Sequence, residues 1–337
     1  MNRALILTPV LSGCLGWTLS ESPFPEREPD YTFEYGCYVV TQERWGLRED
    51  RLERVTEWTF ASPDDEQYLT GEDFTIWDGE PRLWGRYAYV REGQTAWGIN
   101  DAYADGTIDQ LLTETYGVDG HLSTAAFDSD GDGIDDQRYA FDYSRLGQLV
   151  VELKDNDADG TADIIRTLTY TRSGNIAAMI TDNNADGEPD NQFTYEYSDG
   201  LLQRLTYSKT DEGLINRTDY TYSSDGLLVE VAADSGADGS VDRRTTYTYD
   251  ERGNLLTEEE DNSGNGLIDD RLVYTYDEAD RVITLETYWL INDPHYNDNR
   301  RYSFIYDDAG RLIEQRTDFG LNGEDDELLA WTYTDGC

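Results

Sequence analysis

The stretch YTYDERGNLLTEEE, residues 247–260, reads as strand, tight turn and strand. Tyr247 and Tyr249 lie two apart, so in a strand they share one face and Thr248 points to the other. A turn with Gly253 follows, and Leu255 and Leu256 open a second strand. The pattern repeats along the chain. Glycines recur at 79, 106, 133, 160 and 187 in steps of 27, then at 213, 239 and 266. Gly323 lies 57 residues further on, room for two units and an insertion near 290–298. Aromatics stand eight and ten residues after many of these glycines, as in Tyr87/Tyr89, Tyr195/Tyr197, Tyr247/Tyr249 and Tyr274/Tyr276, with Trp331/Tyr333 closing the series. No stretch keeps a 3.6-residue apolar period, so helix is expected to be nearly absent.

The fold expected is all-β: tandem β-hairpins of about 27 residues forming a long twisted or curved antiparallel sheet. A single hairpin cannot bury its aromatic face alone, whereas stacked neighbours can. YTYDERGNL, YTYDEADRV (274–282) and FIYDDAGRL (304–312) resemble the YD repeats of Rhs-type surface proteins. The resemblance spans roughly residues 85–335 and implies an open ladder of hairpins; the alternative is a closed, propeller-like ring. The period is longer than that family's, and the added residues are acidic. Residues 31–97 are expected as divergent, capping repeats whose core holds Trp45, Trp58, Trp77, Trp84 and Trp97, with residues 98–337 as the regular array.

The added residues form acidic loops around the repeat glycines. The fullest is Asp128, Asp130, Asp132, Gly133, Ile134 and Asp136. The same frame gives Asp155, Asp157, Asp159, Thr161 and Asp163, then Asp182, Asn184, Asp186, Glu188 and Asp190. Sparser copies are Asp101, Asp105 and Asp109; Asp234, Asp238 and Asp242; Asp261, Asn265 and Asp269; and Asp318, Asn322 and Asp326. Oxygen side chains fill positions 1, 5 and 9 of all seven, and position 7 would offer a backbone carbonyl. Calcium takes six to eight hard oxygen ligands, and alternate residues of a coiled loop supply them, so several Ca2+ ions are the expected cofactors. The frame resembles the first half of an EF-hand loop without its twelfth-position Glu, and resembles the calcium hairpins of FG-GAP repeats, where position 9 gives the last carboxylate. Asp and Gly are also ordinary turn formers; seven copies in one register, clustering carboxylates, favour a cation.

Charge and composition bound the partners. The 337 residues carry 71 acids against 26 bases, a formal net charge of −45, which repels nucleic acid and anionic lipid headgroups. Low hydropathy with high charge is the signature of disorder, but 25 Tyr, 9 Phe and 8 Trp belong to packed sheets. The opening MNRALILTPVLSGC has a basic start, a short apolar run and small residues before Cys14. Leu11-Ser12-Gly13-Cys14 resembles a lipoprotein lipobox, which implies removal of residues 1–13 and a lipid on Cys14. Residues 14–30 then read as an extended tether, and the location implied is the outer membrane or surface of a bacterium. Cys37 and Cys337 are able to pair, to stay free or to link chains. Only His121 and His295 could serve as imidazole catalysts, and neither adjoins a nucleophile motif, so no enzyme is expected. The function read from the sequence is a calcium-stabilised surface scaffold with a structural or adhesive role. Alternatives are a glycan-binding or glycan-processing propeller and an Rhs-like shell around a partner protein.

Overall fold

The computed structural model describes residues 38–46, 51–62, 65–77, 80–290 and 299–335. The segments 1–13 and 14–30, Cys14, Cys37, His295 and Cys337 lie outside the described residues, as do the side chains of Trp45, Trp58, Trp77 and Trp84. Every regular element among the described residues is a strand. The first are β1 (Tyr38–Gly46), β2 (Arg51–Ser62), β3 (Asp65–Trp77), β4 (Glu80–Glu92), β5 (Thr95–Asp101), β6 (Gln110–Tyr116), β7 (Leu122–Asp128) and β8 (Gln137–Tyr143). Next come β9 (Leu149–Asp155), β10 (Ile164–Tyr170), β11 (Ile176–Asp182), β12 (Asn191–Ser198), β13 (Leu201–Lys209), β14 (Gly213–Tyr222) and β15 (Leu228–Ser235). The series ends with β16 (Arg243–Tyr249), β17 (Leu255–Asp261), β18 (Asp270–Tyr276), β19 (Val282–Trp289), β20 (Arg300–Tyr306), β21 (Leu312–Phe319) and β22 (Glu327–Asp335).

The chain divides into two compact units. The first comprises Met1–Gln148, Glu152–Ala162 and Leu329–Cys337, the second Leu149–Val151 and Asp163–Leu328. In the first unit β1 to β8 pair antiparallel with their sequence neighbours, and β22 pairs with β1. Among its described side chains Ala88 and Ile99 form a buried apolar core, with Trp97, Ile108 and Leu111 packed on them. Trp97 is thus the one tryptophan of the expected capping core whose packing is described.

In the second unit β10 to β21 form one uninterrupted antiparallel meander. Pairing runs from each hairpin into the next without the break after every fourth strand that propeller blades require. The expected hairpin ladder is therefore the arrangement of this unit.

Two devices explain why Tyr-Asp recurs. The Asp accepts backbone N–H groups across its own turn: Asp250 Oδ1 from Arg252 and Asn254, Asp277 Oδ1 from Ala279 and Arg281, Asp307 Oδ1 from Ala309 and Arg311. Ser144 and Ser223 do the same with a hydroxyl. Such side chains mimic a backbone turn and fix its geometry. The register slips by one residue beside each closing tyrosine, as between Thr248 and Tyr249 and between Thr275 and Tyr276. The second device is the tyrosine itself. Tyr170, Tyr222, Tyr249, Tyr276 and Tyr306 donate their hydroxyls to the carbonyls of Leu149, Leu202, Leu228, Leu255 and Val282, at 2.6–2.9 Å. Each bond spans from the end of one even-numbered strand to the start of the strand before it.

Replacing Tyr276 by Phe removes one such bond and leaves the Leu255 carbonyl unpaired. The expected cost is about 1 kcal/mol of stability, read as a lower urea midpoint at unchanged slope.

Candidate metal centre

Each of the seven acidic loops joins an odd-numbered strand to the even-numbered strand that follows, so within each unit the loops share one sheet edge. Like loops two strands apart stand about 9–10 Å from one another. The first Asp of each loop is the last or next-to-last residue of its strand. All seven, Asp101, Asp128, Asp155, Asp182, Asp234, Asp261 and Asp318, are at most 8% exposed. Asp101 is the largest completely buried side chain among the described residues. A buried carboxylate is costly unless hydrogen bonds or a cation hold its charge.

Backbone N–H groups do much of that holding. Oδ2 of the first Asp accepts the N–H of the position-6 glycine in every loop, at 2.7–3.0 Å. The position-5 side chain accepts the position-7 N–H in all seven, through Asp or through Asn265 and Asn322 alike. The position-9 carboxylate accepts the position-2 N–H at Asp109, Asp136, Asp190, Asp242, Asp269 and Asp326. Asp163, the ninth residue of the Asp155 loop, falls in the second unit. The register of positions 1, 5 and 9, read from the sequence as ligand spacing, thus also serves to close the loop on its own backbone.

Position 4 has a positive φ throughout, at Ala104, Ala158, Ala185, Ala237 and Leu321 as well as at Gly131 and Gly264. The two glycines have a further reason. A methyl on Gly131 would meet the Ile108 carbonyl at 1.9 Å, and one on Gly264 the Val241 carbonyl at 2.0 Å. There the loop presses on the eighth residue of the preceding loop.

The loops differ in what faces the buried Asp across the sheet. Arg86 is paired in register with Asp101, Arg217 with Asp234, Arg244 with Asp261 and Arg301 with Asp318. Arg301 Nη1 reaches Asp318 Oδ2 at 3.9 Å. These are the four loops without an acidic or amide side chain at position 3. Opposite Asp128 and Asp182 stand Leu111 and Ile165. The arginines were missed in the sequence, although they carry a signal: 217, 244 and 301 each precede their aspartate by 17 residues.

Carboxylates converge within 4.8 Å of one another at two places among the described residues, Asp128/Asp130/Asp136 and Asp155/Asp157/Asp159. The position-3 aspartates Asp130 and Asp157, one in each cluster, are exposed. Asp132 stays outside the first cluster, its Oδ1 accepting the Ile134 N–H at 2.8 Å. In the third full loop Asn184 instead donates to Asp186 Oδ2 at 3.1 Å. The side chains of Ile134, Thr161 and Glu188 at position 7 are exposed. The donor sets are all hard oxygen, which suits calcium.

The first loop shows no such convergence of its three acids. Asp105 is not gathered with Asp101 and Asp109 into a converging cluster, and its side chain is exposed. Each of the three carboxylates also accepts from the backbone. Asp105 Oδ1 accepts the Thr107 N–H at 2.8 Å, Asp101 accepts the N–H groups of Asp105 and Gly106, and Asp109 accepts that of Ala102. Asp105 thus accepts at its turn as Asp132, Asp159, Asp186 and Asp238 do at theirs.

Two further features lie apart from the loops. His121 stacks on Tyr143 with ring centroids 4.7 Å apart, a packing role at a turn. On the second unit a cavity of about 360 Å³ is lined by Glu258, Glu260, Asp270, Trp289, Arg300 and Tyr302, among others. These residues are on neighbouring strands, and no sequence motif announced them.

The RHS Repeat family model matches residues 222–265, the stretch that includes the YTYDERGNL hairpin. No curated protein matches the chain. Among solved structures it is similar to a TcdB2–TccC3–Cdc42 assembly, at 14% identity and a TM-score of 0.43, over 87% of this chain and 16% of that one. A Tc holotoxin pore from Photorhabdus luminescens aligns at 12% identity and 0.27, over 81% and 19%. A porin-like protein from Bacteroides uniformis aligns at 13% and 0.30, over 88% and 97%. The chain therefore spans about a sixth of the length of the first of these structures.

The site's acids set a pH profile. Burial raises the carboxyls of Asp155 and Asp261, but the N–H groups of Gly160 and Gly266 and their neighbours outweigh it, and both titrate below the ordinary range. The Ser129 hydroxyl and N–H lower Asp136, and turn N–H groups lower Asp250, Asp277 and Asp307. Groups depressed in the folded chain add stability above the unfolded value, about pH 4, and lose it as pH falls through their folded values. Burial raises Glu258 and Asp270, so their stabilising share is full below the unfolded value and lost as pH rises through the folded one. In chelator, the melting temperature is expected to peak near about pH 5 and to fall below about pH 4. Glu258→Gln should flatten the rise between neutral pH and the peak.

Proposed function

We propose that this chain is a non-enzymatic repeat scaffold, anchored at a bacterial surface by a lipid on Cys14, in which calcium bound at the acidic edge stiffens the hairpin array for a structural or adhesive role. The observation that carries the reading is the buried Asp at the start of each loop, with further carboxylates converging beside two of them. Like charges held this close repel, and a divalent ion at the edge offsets that repulsion where no arginine does. Weak sites with Kd of about 10⁻⁴–10⁻³ M fill at the millimolar calcium of an extracellular medium and empty inside a cell. Calcium would then act as a signal of location, rigidifying the sheet only after export. The hairpin repeats support the scaffold part of this reading directly, since strand pairing joins neighbouring repeats and a tyrosine bond reinforces five of the junctions.

A second reading, glycan binding, is favoured by the cavity on the second unit. Trp289 is 45% exposed there beside three carboxylates and Tyr302, the pairing of an aromatic face with polar groups that sugars use.

The deciding experiment is thermal unfolding of the purified full-length chain in 2 mM calcium and in excess EDTA. A calcium-dependent rise of roughly 5 °C or more is expected, since a ligand that binds only the folded state stabilises it by mass action. Identical curves would leave the acidic loops as turns and shift attention to the cavity.

A further inference from the structure

Of the seven loops, the one that begins at Asp155 is the exception in its hydrogen bonding. In the other six, Oδ1 of the first Asp accepts an N–H from within the loop, at position 5 in five of them and from Gly131 at position 4 in the Asp128 loop. Asp155 Oδ1 is buried and has no hydrogen-bond partner, although Asp155 is only 7% exposed. The backbone N–H groups of Gly160, Asp157 and Asp159 lower the carboxyl as a whole.

The arginine of this loop is also placed differently. The offset that sets Arg217, Arg244 and Arg301 against their aspartates would give Arg138 to Asp155. Arg138 meets this loop at its backbone: its Nε donates to Asp135 Oδ2 at 2.9 Å, and its Nη1 donates at 3.0 Å to the carbonyl of Ala158, the fourth residue of the Asp155 loop. Asp135 is an extra acid at position 8 of the preceding loop. Asp155 therefore lacks the ion pair that Asp318 makes with Arg301 at 3.9 Å, Arg138 being paired with Asp135. It has instead two further carboxylates, Asp157 and Asp159, within 4.8 Å.

We propose that Asp155, Asp157 and Asp159 form the primary calcium site of the chain, which fills before any other loop, while the four loops with an arginine opposite the first Asp take no ion. This rests on the calcium reading above and narrows it from seven loops to an order of filling. The Asp128 loop, with Leu111 opposite and a converging set of its own, is second. Three negative oxygens in one shell raise affinity through ligand charge, whereas a guanidinium beside the first Asp repels the incoming ion.

Calcium binding to the full-length chain is measured by isothermal titration calorimetry with calcium chloride, for the wild type and for two variants. Asp157→Asn keeps the oxygen that accepts the Asp159 N–H and removes one charge. It is expected to weaken the tightest phase roughly tenfold. Asp238→Asn makes the same change in an arginine-opposed loop, where Asn265 and Asn322 already perform the position-5 task elsewhere. Its isotherm should overlay the wild type. Seven equivalent sites, or an equal loss in both variants, would overturn the order of filling and leave the calcium reading standing. A flat titration of the wild type would remove both.

Discussion

A carboxylate buried at the end of a strand has to be held by something, and most of the acidic edge is built to do so. Water is excluded from Asp101, Asp128 and the five like them, so the backbone must turn its N–H groups inward. That requirement fixes the glycine at position 6, the positive φ at position 4, and the acceptors at positions 5 and 9. It also fixes where the next strand begins. The long period of the repeat is the length of chain needed to wrap one carboxylate and return.

The opposite edge is governed by a different allocation of donors. Asp250, Asp277 and Asp307 are occupied by their own turns, and the preceding tyrosines reach back to an earlier strand. One edge therefore supplies local closure and long-range stitching, and the other supplies buried charge. These polar bonds, repeated from turn to turn, help to set the register of the sheet.

The hairpins were legible because their signal is local. Tyr247, Tyr249, Asp250 and Gly253 lie within seven residues, and their alternation and turn chemistry name the structure without knowledge of neighbours. The loops were half legible. Their spacing revealed a shared frame, but closing the backbone and ligating a metal ion call for the same frame, and spacing alone does not separate the two tasks. Asp105 and Asp159 occupy the same position of that frame, yet only Asp159 stands in a converging cluster. What separated the two kinds of loop was the identity of residues on another strand: Arg301 against Asp318, Leu111 against Asp128. The cavity around Glu258, Asp270 and Trp289 was not legible, because its walls are gathered across strands by registers that no single stretch encodes.

The backward reach of the tyrosines gives the array a direction in time. Tyr276 bonds to Leu255, and Tyr306 to Val282, so every donor is made later in synthesis than its acceptor. A chain emerging N-terminus first carries a hairpin in which the carbonyl that opens its second strand waits for the tyrosine of the next repeat. Folding then runs one repeat behind emergence, each new hairpin completing the one before it.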